Sequence, residues 1–168
     1  MLRIGLLSDT HSWLDPRLPE HFSGCDEIWH AGDFGDTVSE TLQGFLPLRG
    51  VFGNIDGTLI RQQFPEHLVF IVEGIKVYIT HIGGYPGNYS PEARKRIEAD
   101  KPGLFISGHS HICKVMRDEK YNLLHINPGA AGRHGHHKMR TAARFAIESG
   151  KIKDLEIIEL GLRGALPA

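Results

Sequence analysis

The stretch GLFISGHSHICKV, residues 103–115, decides how the chain is read. Strand formers LFIS (104–107) run into Gly108, then into His109 and His111 with one serine between them. On an extended chain, residues i and i+2 project to the same side, so both imidazoles face one place. This stretch is also a junction. Before it, strand-like and helix-like segments alternate; after it, the pattern is one of hairpins.

Working back towards the N-terminus, LRIGLL (2–7) reads as a strand and PRLPEHFSG (16–24) as a Pro-started helical stretch. EIWHA (27–31) is a strand, DTVSETLQGF (36–45) a helix with Asp36 as its cap, and LPLRGVF (46–52) a strand. A β-α-β-α-β order predicts parallel strands with right-handed crossovers. HLVFIVEGIKVYIT (67–80) reads as two strands folding back at Glu73-Gly74. SPEARKRIEADKP (90–102) is the clearest helix, with Ser90 at the N-cap, Pro91 at the first helical position and Pro102 beyond its end. Towards the C-terminus, ICKVMRD (112–118) and YNLLHIN (121–127) pair around Glu119-Lys120, and RFAIES (144–149) pairs with IKDLEIIEL (152–160) around Gly150. Parallel units followed by hairpins give an α/β protein of two packed sheets flanked by helices.

The chain has 168 residues, 40% hydrophobic and 23% charged, with a net charge of −1. That suits one domain over 1–168 that buries roughly 70% of its extended surface, with 161–168 as a polar C-terminal tail. A near-neutral balance speaks against bulk nucleic-acid binding or an anionic membrane surface. No apolar run approaches the roughly 20 residues that span a bilayer, so no membrane partner is expected. MLRIGLLSDTH has too short an apolar core for a signal peptide. Two cysteines without metal-type spacing, Cys25 and Cys113, point to a reduced, cytoplasmic protein. Both a monomer and a homo-oligomer remain open.

Five strands end alike. The first gives Asp9 and His11, EIWHAGD gives Asp33, LRGVFGN gives Asn54, KVYITH gives His81, and LFISGHSH gives His109 and His111. A polar residue after a strand is usually a turn or cap residue. Repetition at five strand ends lifts the set above that reading, because ligands of α/β sheets sit outside the carboxyl ends of the strands. Two Asp, one Asn and four His form an oxygen/nitrogen set without thiolate, suited to Mn²⁺, Fe or Zn²⁺. Seven donors exceed one ion's needs and fit two ions sharing a carboxylate. Such a pair polarises phosphoryl oxygens, and a water held between the ions is acidified into a hydroxide nucleophile.

The ordered set Asp9-x-His11, Gly32-Asp33, Gly53-Asn54, His81 and Gly108-His109-x-His111 closely resembles the calcineurin-like metallophosphoesterases. With HAGD, GNID, GHSH and INPGA, it looks most like their small bacterial and archaeal phosphodiesterase branch. The resemblance runs from residue 9 to about 131. It implies a four-layer α/β/β/α sandwich of two mixed sheets with a binuclear centre, usually of manganese, with iron, zinc or nickel also used. It also implies that Asp9, His11 and His111 hold one ion, that Asn54, His81 and His109 hold the other, and that Asp33 bridges them. Asn54 and His109 are further expected to touch phosphate, and the substrate to be a small phosphodiester.

Two positions depart from the family pattern. Where many members carry a phosphate-contacting histidine after the asparagine, this chain has Ile55, which cannot donate a proton. The small phosphodiesterase branch commonly lacks that histidine, so Ile55 argues against an efficient phosphomonoesterase or protein phosphatase. After His81, relatives usually have a Gly-His pair; here Gly83 and Gly84 supply no ligand.

Other polar residues have competing readings. Asp56 either orients the site or serves a turn. His30, inside a strand, reads as a satisfied core histidine. Asn127 and Gly129 of INPGA belong to a turn near the mouth of the site, with Asn127 also a candidate substrate contact. His134, His136 and His137 of RHGHHK read as solvated loop residues, with Arg133 as a candidate partner for an anionic phosphate. The functional alternative to an enzyme is a scaffold, since a eukaryotic retromer subunit has this fold with an impaired metal site.

Overall fold

The computed structural model describes residues 1–165. Its first half runs β1 (Leu2–Leu7), α1 (Leu18–His21), β2 (Glu27–His30), α2 (Val38–Gln43), β3 (Leu48–Gly50) and α3 (Thr58–Gln63). The hairpin β4 (His67–Val72) and β5 (Ile75–Thr80) follows, then the two-residue strands β6 (Gly84–Tyr85) and β7 (Asn88–Tyr89), and α4 (Pro91–Asp100). Last come β8 (Leu104–Ile106), β9 (Lys114–Asp118), β10 (Leu123–Asn127), β11 (Met139–Glu148) and β12 (Lys151–Leu162).

Ten of these strands make two five-stranded sheets, ordered β12-β11-β1-β2-β3 and β4-β5-β8-β10-β9. The expected parallel pairing holds for β1-β2 and β2-β3, and again for β5-β8 and β8-β10. The strands flanking these runs, β11, β4 and β9, pair antiparallel. Both sheets are therefore mixed, each with three adjacent parallel strands.

Strand alternation sorts the apolar residues into layers. Ile4 and Leu6 of β1, Trp29 of β2, Val77 and Ile79 of β5, and Phe145 of β11 lie in one core shared by the two sheets. Trp29 is fully buried and meets Phe70 and Phe145 edge-on, at 5.1 and 5.8 Å between centroids. Truncating such a residue to alanine costs about 3–5 kcal/mol. On the outer face of the first sheet, Leu7 and Ile28 pack beneath Leu18, Phe22, Val38 and Leu42 from α1, α2 and their ends. On the outer face of the second, Ala93 and Ile97 of α4 cover Tyr78, Phe105 and Leu123. The result is an α/β/β/α sandwich.

Several boundaries differ from the sequence reading. The helix at 16–24 shrinks to four residues, and Asp36 does not cap α2. Thr37, at φ 65°, precedes that helix, while the Asp36 amide donates to Ser12 Oγ at 2.8 Å. Helix α3 and the β6-β7 ribbon were not expected. The Ser90 cap is as expected, accepting from the Ala93 amide at 3.3 Å. The expected tail starts too early: β12 runs to Leu162, and the Arg163 amide still donates to the Lys138 carbonyl. Residues 166–168 of that tail lie outside the described residues. Among those described, no helix is long and apolar enough to cross a membrane.

Two of the three expected hairpins turn where expected, while the connection between β9 and β10 spans 119–122 and takes in Tyr121 and Asn122. Glu73 and Gly74 have φ of 48° and 81°, and Ser149 and Gly150 have φ of 49° and 76°. Two positive values in succession are the signature of a tight type I′ connection matched to strand twist.

Candidate metal centre

Each candidate donor lies just past the carboxyl end of a parallel strand: Asp9 and His11 after β1, Asp33 after β2, Asn54 after β3, His81 after β5, His109 and His111 after β8. Backbone geometry there is unusual. Asp9, His11, Asp33, His109 and His111 all have positive φ, between 45° and 69°. Non-glycine residues in the left-handed region cost on the order of 1 kcal/mol or more each and persist only where their surroundings hold them. Here the Asp9 amide donates to the Gly32 carbonyl, the His11 amide to the Asp33 carbonyl, and the His109 amide to Asp9 Oδ2 at 3.1 Å. Loops of both sheets thus hold one another.

The side chains form two groups, Asp9-His11-His111 and Asp33-His81-His109, each offering ligand atoms within 4.8 Å of one another. His111 Nε2 is 3.1 Å from Asp9 Oδ1. Asp33 Oδ2 lies between the groups, 3.4 Å from His11 Nε2 and 3.2 Å from His81 Nε2. Asn54 reaches the second group through its Oδ1, which accepts from His109 Nδ1 at 3.0 Å. His81 Nδ1 donates to the Ala31 carbonyl at 2.7 Å, which leaves the Nε2 lone pair turned to the carboxylates. Asp9 Oδ1, His11 Nε2 and His81 Nε2 are buried without a hydrogen-bond partner. One carboxylate oxygen and two imidazole nitrogens, left without a hydrogen bond among the described residues and close to the Asp33 carboxylate, fit divalent cations.

The electrostatics follow from burial opposed by proximity. Burial, the largest influence, pushes the Asp9 pKa up, but the adjacent His111 imidazole, the charge of His81 and the Ser8 hydrogen bond together hold it below the ordinary range. Asp33 is likewise pushed up by burial and held down by His81, the Ile55 amide and His11. For His81, burial lowers the pKa, while Asp33 and Asp9 outweigh it and raise it. His11 is lowered by burial despite the two carboxylates.

Supporting residues separate clearly from the donors. The buried Asp56 carboxylate accepts from the Gly53 amide at 2.8 Å, Phe34 at 3.2 Å and Gly35 at 3.0 Å, joining the loops that carry Asp33 and Asn54. Gly53 is forced by close approach, since a Cβ there would stand 2.0 Å from Asp33 Oδ1. At Gly32 a Cβ would stand 2.6 Å from His81 Nδ1. His30 is a core histidine, as expected: it accepts from the Gly32 amide at 3.1 Å, bonds Thr10 Oγ1 at 3.0 Å and stacks on Phe34. Burial depresses its pKa to about 3.

The two residues expected to contact substrate have neighbours of their own, and Asn127 also lines a cleft beside the donors. Asn127 is spent on the GHSH loop: its amide nitrogen donates to the Gly108 carbonyl and Ser110 Oγ, and its oxygen accepts from Gly129. Arg133 lies over the Trp13 ring at 5.4 Å and does not line the cavity above the donors. That cavity, about 450 Å³, is walled by Ile55 and Ile112 and by His134, His136 and His137. The loop is not simply solvated. The His134 ring lies 4.7 Å from that of His11, and His137, bonded to the Gly132 carbonyl at 2.9 Å, lies 5.1 Å from His111. Sequence reasoning also missed Arg61, whose guanidinium donates to the Asp56 carbonyl at 2.6 Å and packs over Phe52. Its signal in the sequence is its place seven residues after Asn54, within α3.

Comparison with known proteins agrees with this geometry. No curated protein matches the chain. Among solved structures, an archaeal phosphodiesterase superposes with a TM-score of 0.71 at 21% identity, covering 94% of this chain and 99% of its own. A Streptococcus pneumoniae protein described as a predicted phosphoesterase gives 0.71 at 21%, covering 98% and 94%. Vps29 of Entamoeba histolytica, solved with Zn²⁺, gives 0.71 at 17%, covering 95% and 100%. At these identities the likeness establishes the fold. The model of the calcineurin-like phosphoesterase superfamily domain matches residues 2–150, and the chain belongs to that superfamily.

Proposed function

We propose that the chain is a phosphodiesterase working with two divalent cations, and that Asp9, His11 and His111 hold one while Asn54, His81 and His109 hold the other. Asp33 joins the two, since its Oδ2 faces one imidazole of each group at 3.2–3.4 Å. The donor chemistry suits manganese, with iron, zinc or nickel as alternatives. Such a pair, when bound, supplies Lewis acidity and an acidified water for in-line displacement at phosphorus. The chain's own residues do the rest. His109 and Asn54 stand at the cavity wall to receive phosphate oxygens. The Ile55 amide fixes Asp33 Oδ1 at 3.0 Å, but its side chain brings no proton to a leaving group. Activated diesters are therefore favoured over monoesters with poor leaving groups. Cys25 and Cys113 are free thiols, in keeping with a reducing cytoplasmic setting.

The observation that carries this reading is that Asp9 Oδ1, His11 Nε2 and His81 Nε2, distributed over the two groups, are buried and without a hydrogen-bond partner among the described residues. A metal-by-substrate screen tests it. Bis(4-nitrophenyl) phosphate should be hydrolysed with Mn²⁺, Ni²⁺ or Zn²⁺ and not after chelation, and faster than 4-nitrophenyl phosphate. Binding of two ions without any hydrolysis would favour the scaffold reading instead.

A further inference from the structure

The loop that carries His137 is tied to the loop that carries Asp9, since the Gly132 amide donates to the Asp9 carbonyl at 3.1 Å. His137 itself is held from two sides. Its Nε2 donates to the Gly132 carbonyl at 2.9 Å, and its own carbonyl accepts from Arg163 Nε at 3.1 Å. A neutral imidazole that donates through Nε2 carries a lone pair on Nδ1. That Nδ1 is buried and has no hydrogen-bond partner among the described residues. It is a fixed acceptor facing a missing donor.

His111 is the donor that fits. Its Nε2 lies 3.1 Å from Asp9 Oδ1, on the side of the Asp9-His11-His111 group. A cation held there takes the Nε2 lone pair and leaves the ring proton on Nδ1. Metal-bound imidazoles almost always pass that proton to an outer acceptor, which fixes the ring and raises its basicity. His81 has such an acceptor in the Ala31 carbonyl. For His111 the neighbour is the His137 ring, 5.1 Å away between centroids and close to perpendicular, at 81°. The two Nδ1 atoms border one gap: a Cβ on Gly135 would stand 2.3 Å from that of His111 and 3.2 Å from that of His137. Gly135, at φ 127°, keeps the gap open.

We propose that His137 is the positioning residue of His111: with a cation on His111 Nε2, its Nδ1–H donates to His137 Nδ1, and the chain of hydrogen bonds ends on the Gly132 carbonyl. The proposal rests on the dimetal reading for the cation, and on the loop alone for the acceptor. Reorientation of either ring closes the bond, because both nitrogens already face the same gap. His137 borders His111 and neither His81 nor His109, so its influence falls on one ion of the pair. The loop's tie to the Asp9 carbonyl makes acceptor and ligand group move together.

Calorimetric titration of the metal-free full chain with Zn²⁺ tests this. His137→Phe keeps a planar ring and removes the acceptor; it should weaken one of the two ions by about 10–100-fold and leave the other unchanged. His137→Asn, whose Oδ1 stands where Nδ1 stood, should recover most of the loss, which a role in packing alone would not produce. A second measurement needs no variant. In the Zn²⁺-loaded chain with ¹⁵N-labelled histidines, a scalar coupling between the Nδ1 nuclei of His111 and His137 should appear, since an N–H···N bond transmits one. Unchanged affinities in His137→Phe, equal weakening of both ions, no recovery in His137→Asn, or absence of the coupling overturns the proposal. If the unmodified chain takes up no ion, the dimetal reading falls and this role with it. If it takes up two and the variants match it, the role of His137 alone falls.

Discussion

The two sheets contribute unequally to the centre. The β1-β2-β3 sheet supplies both carboxylates, the amide of Asn54 and one imidazole; the β5-β8 sheet supplies three imidazoles. Neither sheet completes a ligand group alone, because Asp9 and His11 need His111, and Asp33 needs His81 and His109. Both carboxylates sit on one layer, and three of the four imidazoles on the other. A bound cation is therefore a cross-link between layers that are otherwise held by the apolar core around Trp29. This asymmetry makes several outcomes predictable.

The largest effect should come from Asp33→Ala, which removes the oxygen that both groups face. Turnover of bis(4-nitrophenyl) phosphate should fall by about 10²–10³-fold, as when a group that stabilises the transition state directly is deleted, and elemental analysis should find fewer than two ions per chain. Retention of both ions would show that the carboxylate layer is less central than drawn here. Next in size is removal of metal. With ion at about 100 times its dissociation constant, binding stabilises the native state by roughly 2.7 kcal/mol. For a chain of this length that lowers the melting temperature on chelation by about 5–10 °C. An unchanged melting temperature would mean the ions do not tie the layers together.

A third effect concerns the β2 side alone. His30 has a folded pKa depressed to about 3 by burial, against an ordinary 6.5. The unfolded chain therefore takes up a proton as pH falls through 6.5 while the folded chain does not, and stability is lost on acidification down to the folded value. Between pH 7 and 4.5 this one group should cost roughly 2–3 kcal/mol. Urea denaturation of the metal-free chain at the two pH values, with His30→Gln alongside, measures it; an equal loss in the variant would refute the assignment. The smallest expected change is a gain. Ile55→His places a proton donor at the wall formed by the first sheet, and should raise turnover of less activated esters by up to about tenfold, less than the roughly 10²–10⁴-fold of a well-positioned general acid. No gain in the metal-saturated variant would show that a missing acid is not what limits the rate.

The legible parts of the molecule were those governed by local rules. Strand alternation placed β1, β2, β5 and β8, and with them every residue of the two ligand groups. The Ser90-Pro91 start fixed α4. What escaped was set by contacts distant in sequence. Asp36 looks like a cap, yet its amide is engaged by Ser12, so the helix begins later. The loop at 132–138 reads as solvated polar chain, but the Gly132 amide bonds the Asp9 carbonyl and carries His134 and His137 onto His11 and His111. Nothing in RHGHHK announces that neighbour. Helix α3 buries none of its residues fully, so it lacks the apolar stripe that would have revealed it.

The bare Cα atoms of Gly32 and Gly53 widen the set of substitutions that would disrupt the proposed centre. A single methyl at either would displace His81 or Asp33 while every donor residue stayed in the sequence. Inactive descendants of such a fold need not betray themselves by a missing aspartate or histidine. Telling a working hydrolase from a retired one therefore means inspecting these two silent positions alongside the seven proposed donors, and in this chain both are glycine.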